Sequence, residues 1–158
     1  MIVDCHCHVV PEEMTTAAVP LRWRPERGSD ENGRTLIGFR GKVIRSVIGE
    51  FTDLDLMLAQ AFAQGVDHLV LSPWIMLVPV DAEIGEATGV CQMLNEALSG
   101  LAQSRPGQVS GLGAVPLQDP AAAAAALGEL MRLPGMRGAE IPASVAGVYL
   151  GDDRFEPF

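Results

Sequence analysis

Hydrophobic and polar positions along this chain switch repeatedly between a period of two in short runs and a helical period in the longer segments between them. The first run, Met1 to Val10, carries Ile2 and Val3 into two histidines separated by one residue, and Pro11 stops it. A polar, proline-bearing stretch follows through Asn32 and reads as a long excursion. Thr35 to Phe39 and Lys42 to Ile48 then form the arms of a predicted β-hairpin turning at Arg40-Gly41. Thr52 or Asp53 can cap a helix whose stripe is Leu54, Met57, Leu58, Ala61 and Phe62, with Gly65 at its end. Val66 to Leu71 reads as a second strand and Asp81 to Ser104 as a long helix stopped by Arg105-Pro106-Gly107. Val109 to Val115 is a third strand. Asp119-Pro120 starts an alanine-rich helix closed by Pro134-Gly135, Met136 to Ile141 is a fourth strand, and Asp152 looks like another helix start.

Strands alternating with helices indicate βαβ units and a parallel sheet. Both an open doubly wound sheet and part of a (β/α)8 barrel satisfy that pattern. An open sheet should place a glycine-rich phosphate loop or an acidic pocket after its first strand, whereas a barrel grows its site from strand C-terminal ends, where His6 and His8 lie. The barrel is the better reading, and the four strands amount to its N-terminal half.

Strict alternation along the first strand puts Asp4, His6 and His8 on one face and Val3, Cys5, Cys7 and Val9 on the other. One strand therefore cannot converge a Cys/His four-ligand cluster, and the cysteines read as packing residues. The histidines read as a chelating pair for zinc, copper, iron or nickel that needs ligands from elsewhere; the plainer alternative is one hydrogen-bonded and one exposed histidine. His68 reads as a satisfied core histidine and Trp74 as packing. Glu140 can face inward near the end of the fourth strand, where a role at a metal and a structural ion pair are equally open.

Composition narrows the class. At 158 residues the chain is one domain's worth, and 48% hydrophobic content excludes a disordered chain. A net charge of −9 without a basic run argues against nucleic-acid and anionic-membrane partners. Three cysteines imply no disulfide framework, and with no apparent leader or membrane-length apolar run the expected compartment is the cytoplasm.

The run Val3-Asp4-Cys5-His6-Cys7-His8-Val9-Val10-Pro11 resembles the opening of the amidohydrolase superfamily, in the branch of the aminocarboxymuconate semialdehyde decarboxylases. Gly41 to Arg45 is similar to that branch's inserted hairpin, Cys91 to Asn95 to its second helix and Gly111 to Leu117 to its third strand. The resemblance implies one divalent metal, usually zinc, held by His6, His8, a histidine on strand five and an aspartate on strand eight. It further implies that Arg45 holds a substrate carboxylate, a role suited to a bidentate guanidinium. Strands five and eight have no counterpart in these residues, so residues 1–158 are expected to be one incomplete half-barrel domain with an insertion at about 12–50, and the catalytic groups are expected outside them. Such a half barrel exposes strand edges and should be unstable or associated, as a homo-oligomer or with its missing half. The implied activity is non-oxidative decarboxylation of a small unsaturated or aromatic carboxylic acid. Hydrolysis of a lactone, amide or ester is the neighbouring alternative, and a non-catalytic scaffold domain is the alternative from another class.

Overall fold

The computed structural model of the chain describes residues 1–33, 35–45 and 50–158, without the side chains of 44, 45 and 50. In chain order the strands are β1 (Val3–Val9), β2 (Glu26–Ser29), β3 (Thr35–Phe39), β4 (Lys42–Arg45), β5 (His68–Pro73), β6 (Val109–Gly113), β7 (Met136–Ala139), β8 (Ser144–Val145) and β9 (Val148–Tyr149). The helices are α1 (Leu54–Ala63), α2 (Ile84–Ser104) and α3 (Pro120–Leu130), with short 3₁₀ turns between elements.

The helices start and stop where the local chemistry says. Asp53 accepts from the Leu56 N–H and Asp119 from the Ala122 N–H, each satisfying a helix-start donor, and Pro120 sits at the first helical position. Gly65, Gly107 and Gly135 follow the three helices at φ of +83°, +81° and +80°, a left-handed turn that favours glycine. The α2 start is three residues later than its hydrophobic period suggests. Asp81 is instead occupied by ion pairs with Arg22 and Arg40.

The central sheet has the order β1-β5-β6-β7, every pair parallel. Sequence order and spatial order coincide, so there is no point at which the winding reverses, as a doubly wound sheet requires. Leu69, Leu71, Val109 and Met136 face α1, α2 and α3 in one buried layer that includes Met57, Leu58, Leu98, Ala102, Ala123 and Leu130. The other face is concave and more polar, with Ser72 and Ser110 buried on it.

The insertion is more ordered than its polarity suggests. β2, read as part of a loop, pairs antiparallel with β3, and β3 with β4, as a three-stranded sheet. All four β2 residues are exposed, so the strand carries no alternating signal in the sequence. The β3–β4 turn is at Arg40-Gly41, both with positive φ, as a two-residue hairpin of the I′ kind demands. Beneath it Trp23, Ile37, Phe39, Met14 and Val19 form a second core against Ala87, Val90, Cys91 and Leu94 of α2. The second hairpin arm was expected to reach Ile48; residues 46–49 lie outside the described residues. At the far end, β8 and β9 form a small hairpin through Ala146-Gly147 that the pattern does not announce, and the helix start at Asp152 is a single 3₁₀ turn, Asp153–Phe155.

Candidate metal centre

The functional residues of β1 are arranged by a bulge. The ladder pairs Asp4 with Leu69 and Cys7 with Leu71, so three steps along β1 oppose two along β5. Asp4 Oδ1 accepts the His6 N–H at 3.0 Å within this irregularity. Residues opposite one another in a ladder point to the same side, which puts both Asp4 and Cys7 on the helix side. A groove along this edge of the sheet is lined by Asp4, His6, Cys7, His8, Phe51 and Met57. The expected sharing of one face by Asp4, His6 and His8 is therefore corrected: the extra residue reverses the parity between Asp4 and His8.

His6 and His8 do come together. Their rings meet edge to face, centroids 4.9 Å apart, and Phe51 stands 6.4 Å from His8. His6 is exposed and His8 half-buried. His8 Nδ1 lies 3.0 Å from the Pro73 carbonyl oxygen. A carbonyl only accepts, so Nδ1 carries the proton and Nε2 keeps its lone pair, the state an imidazole ligand needs. The Ser72 hydroxyl oxygen lies 3.0 Å from the same nitrogen.

Glu140, just past β7, reaches the same place from across the sheet. Its Oε2 is 3.7 Å from His8 Nδ1. In a flat sheet, strands three places apart stand roughly 14 Å from each other. The two side chains meet because the sheet curls, as barrel closure requires. Glu140 Oε2 is buried and has no hydrogen-bond partner.

His68 is satisfied at both nitrogens: Nδ1–H donates to the Gly107 carbonyl and Nε2 accepts from the Ser110 hydroxyl. Trp74 packs edge to face on Phe39, 5.7 Å between centroids. Both are structural, as their positions suggest. The three cysteines are free. Burial pushes the Cys7 thiol up to about 11, with Asp4 adding to it, and the Cys91 thiol up to about 12. Neither is a thiolate ligand near neutral pH. Cys5, read as a packing residue, is exposed because it sits in the bulge at the free edge of the sheet. The Arg45 backbone pairs with Leu36; its side chain lies outside the described residues.

Comparison with known proteins decides the family. The amidohydrolase family matches residues 3–158, essentially the whole chain. The chain belongs to the amidohydrolase family. Among solved structures, this amidohydrolase is similar in fold to IDCase of Metarhizium anisopliae, at 18% identity and a TM-score of 0.74 over 99% of this chain and 46% of that one. A 5-carboxyvanillate decarboxylase from Novosphingobium aromaticivorans, complexed with manganese and a nitrobenzoic acid, matches at 20% identity and TM-score 0.73 over 99% and 46%. A dihydroxybenzoic acid decarboxylase from Polaromonas, with bound manganese and 2-nitroresorcinol, matches at 19% and 0.70 over 99% and 44%. The chain spans less than half the length of these structures, and its four parallel strands in sequential order are the N-terminal half of a (β/α)8 barrel.

The amidohydrolase's own residues fit part of a metal centre. Two adjacent imidazoles, one with its tautomer fixed, suit a divalent cation, and an orphaned buried carboxylate oxygen stands behind one of them. Among the described residues, no group of three or more His, Cys, Asp or Glu is disposed to hold one. The Ser72 and Pro73 partners of His8 escape sequence reasoning because nothing before folding indicates that they adjoin it. Only the position of Ser72 at the C-terminal end of a strand hints at a role.

Proposed function

We propose that residues 1–158 form the N-terminal half-barrel domain, with an insertion over about 12–50, of a metal-dependent decarboxylase acting on a small aromatic or unsaturated carboxylic acid. The observation that carries this reading is the His6–His8 pair at the C-terminal mouth of a curled parallel sheet, with His8 held as the Nδ1–H tautomer. Supporting it, similar folds belong to decarboxylases of carboxyvanillate and dihydroxybenzoate.

In this reading His6 and His8 supply two ligands of a divalent cation and the remainder of the barrel the others. When bound, the cation contributes Lewis-acid polarisation of the substrate. His8 keeps its lone pair aimed at the site through the Pro73 and Ser72 contacts, and Phe51 shields its ring from water on one side. Arg45, on the strand that follows the inserted hairpin's turn, holds the substrate carboxylate by paired N–H donors. Zinc and manganese both suit two imidazoles with oxygen ligands, and manganese is the ion in the two matching decarboxylase complexes. Completion by the rest of the barrel, or by assembly of copies, provides the missing groups; a cytoplasmic setting suits the free thiols.

The test is product analysis on the full-length protein, stripped and reloaded with manganese or zinc, against a panel of hydroxylated benzoic acids. Carbon dioxide release that depends on the metal is expected, with Arg45→Ala raising KM and His6→Ala or His8→Ala removing bound metal. Turnover of lactones, amides or esters without carbon dioxide overturns the decarboxylase in favour of a hydrolase.

A further inference from the structure

Three oxygens surround one nitrogen of His8. The Pro73 carbonyl and Ser72 hydroxyl oxygens are each 3.0 Å from Nδ1, and Glu140 Oε2 is 3.7 Å away. The first two come from the neighbouring strand and belong to the local ladder. Glu140 comes from β7, at the opposite edge of the sheet, so its approach is a product of the barrel's curvature.

Its energetics need an explanation. A buried carboxylate oxygen without a donor is costly, by about 1–3 kcal/mol or more for a charged group. Glu140 Oε2 is in that state, although 22% of the side chain is exposed. The protonated nitrogen it faces is the Nδ1–H of His8. An imidazole that gives its other nitrogen to a cation becomes a stronger donor at Nδ1–H, and a carboxylate is the partner that gains most from that change.

We infer that Glu140 is a positioning residue for the candidate centre: it acts through His8, accepting from Nδ1–H across the barrel mouth and so strengthening Nε2 as the ligating nitrogen. This rests on the metal reading of the histidine pair and names the residue from the far strand that sustains it. Glu140 touches neither substrate nor cation in this role. A small side-chain adjustment brings Oε2 from 3.7 Å to bonding distance.

The experiment uses the full-length protein and two readouts: calorimetric affinity for Mn²⁺ alone and for Zn²⁺ alone, and the ¹⁵N shifts of the His8 ring, which report its tautomer without any metal. Glu140→Ala is expected to weaken cation binding by about 10–100-fold and to move the His8 Nδ1 shift, while the Pro73 carbonyl still keeps the proton on that nitrogen. Glu140→Gln, whose amide oxygen still accepts, is expected to restore affinity to within a few fold and to keep the Nδ1–H form. Glu140→Met, close in volume, repeats the Ala test should truncation impair folding. Unchanged affinity and Nδ1 shift in the Ala or Met variant overturn the inference, as does a Gln variant that falls as far as Ala, which points to a direct ligand. His8→Ala separates the two levels. If it binds cation as tightly as the parent, the metal reading itself fails, while the His8 ¹⁵N pattern in the Glu140 variants still judges the Glu140–His8 interaction.

Discussion

At the scale of single residues, the bulge in β1 is the feature that sets Asp4 apart from the histidine pair. Asp4 holds it closed by accepting the His6 N–H. Asp4→Ala removes that acceptor and should loosen the bulge without parting His6 and His8, which share a face in a regular strand as well. Hydrogen exchange at the His6 amide should therefore rise in Asp4→Ala and stay near the parent's rate in Asp4→Asn, whose side-chain oxygen still accepts. The thiols give a second prediction. Cys7 and Cys91 titrate above the ordinary thiol value in the folded chain, so their contribution to stability is complete below about pH 9 and declines as pH rises through about 11 to 12. Denaturation followed from pH 8 to 11 should show stability falling, and less steeply in a Cys91→Ala background. At neutral pH an alkylating reagent should label the exposed Cys5 well before the half-buried Cys7 or the buried Cys91.

Between elements, two polar clasps hold the layers in place. Asn95 of α2 donates to the Ala114 carbonyl at 2.9 Å and accepts the Ala114 N–H at 2.7 Å, binding the buried end of β6 to the helix. Asn95→Ala strands both backbone groups away from water and should cost about 1–3 kcal/mol in chemical denaturation. Gly113 beside it has no room for a side chain, since a Cβ there would overlap Asn95 Oδ1 and Leu130. The other clasp joins the inserted sheet to the loop before α2. Arg40 lies 4.0 Å over the Trp23 ring and pairs through both guanidinium nitrogens with Asp81, whose carboxyl its hydrogen bond holds below the usual range. Asp81→Asn should increase hydrogen exchange in β3 and β4 while leaving β5 and β6 protected, because the two cores are separate. The Arg40-Gly41 turn and the three helices were legible before the structure, because capping and turn chemistry are local. β2 and the β8–β9 hairpin were not. Their residues are polar or few, and they pair only because a neighbouring strand offers an edge.

For the whole molecule, the open sheet sets the expectations. β1 and β7 each have an unpaired edge among the described residues, and Ile2 and Val3 are exposed beside the first. Residues 1–158 expressed alone should therefore self-associate, seen as a concentration-dependent mass in sedimentation or light scattering, whereas the full-length protein should show a defined species. No described helix is long and apolar enough to cross a membrane.

The sequence by itself determined the α/β class, the four parallel strands with their helices, the inserted hairpin, the family and the histidine pair, because periodicity, caps, turns and a short motif are properties of neighbouring residues. Tertiary structure alone decided which face Asp4 takes, that Ser72 and the Pro73 carbonyl fix the His8 tautomer, and that Glu140 arrives beside His8 from three strands away. Those outcomes depend on ladder register and on the curvature of the sheet. Both are set by how whole elements pair and curl, which no local stretch of sequence specifies.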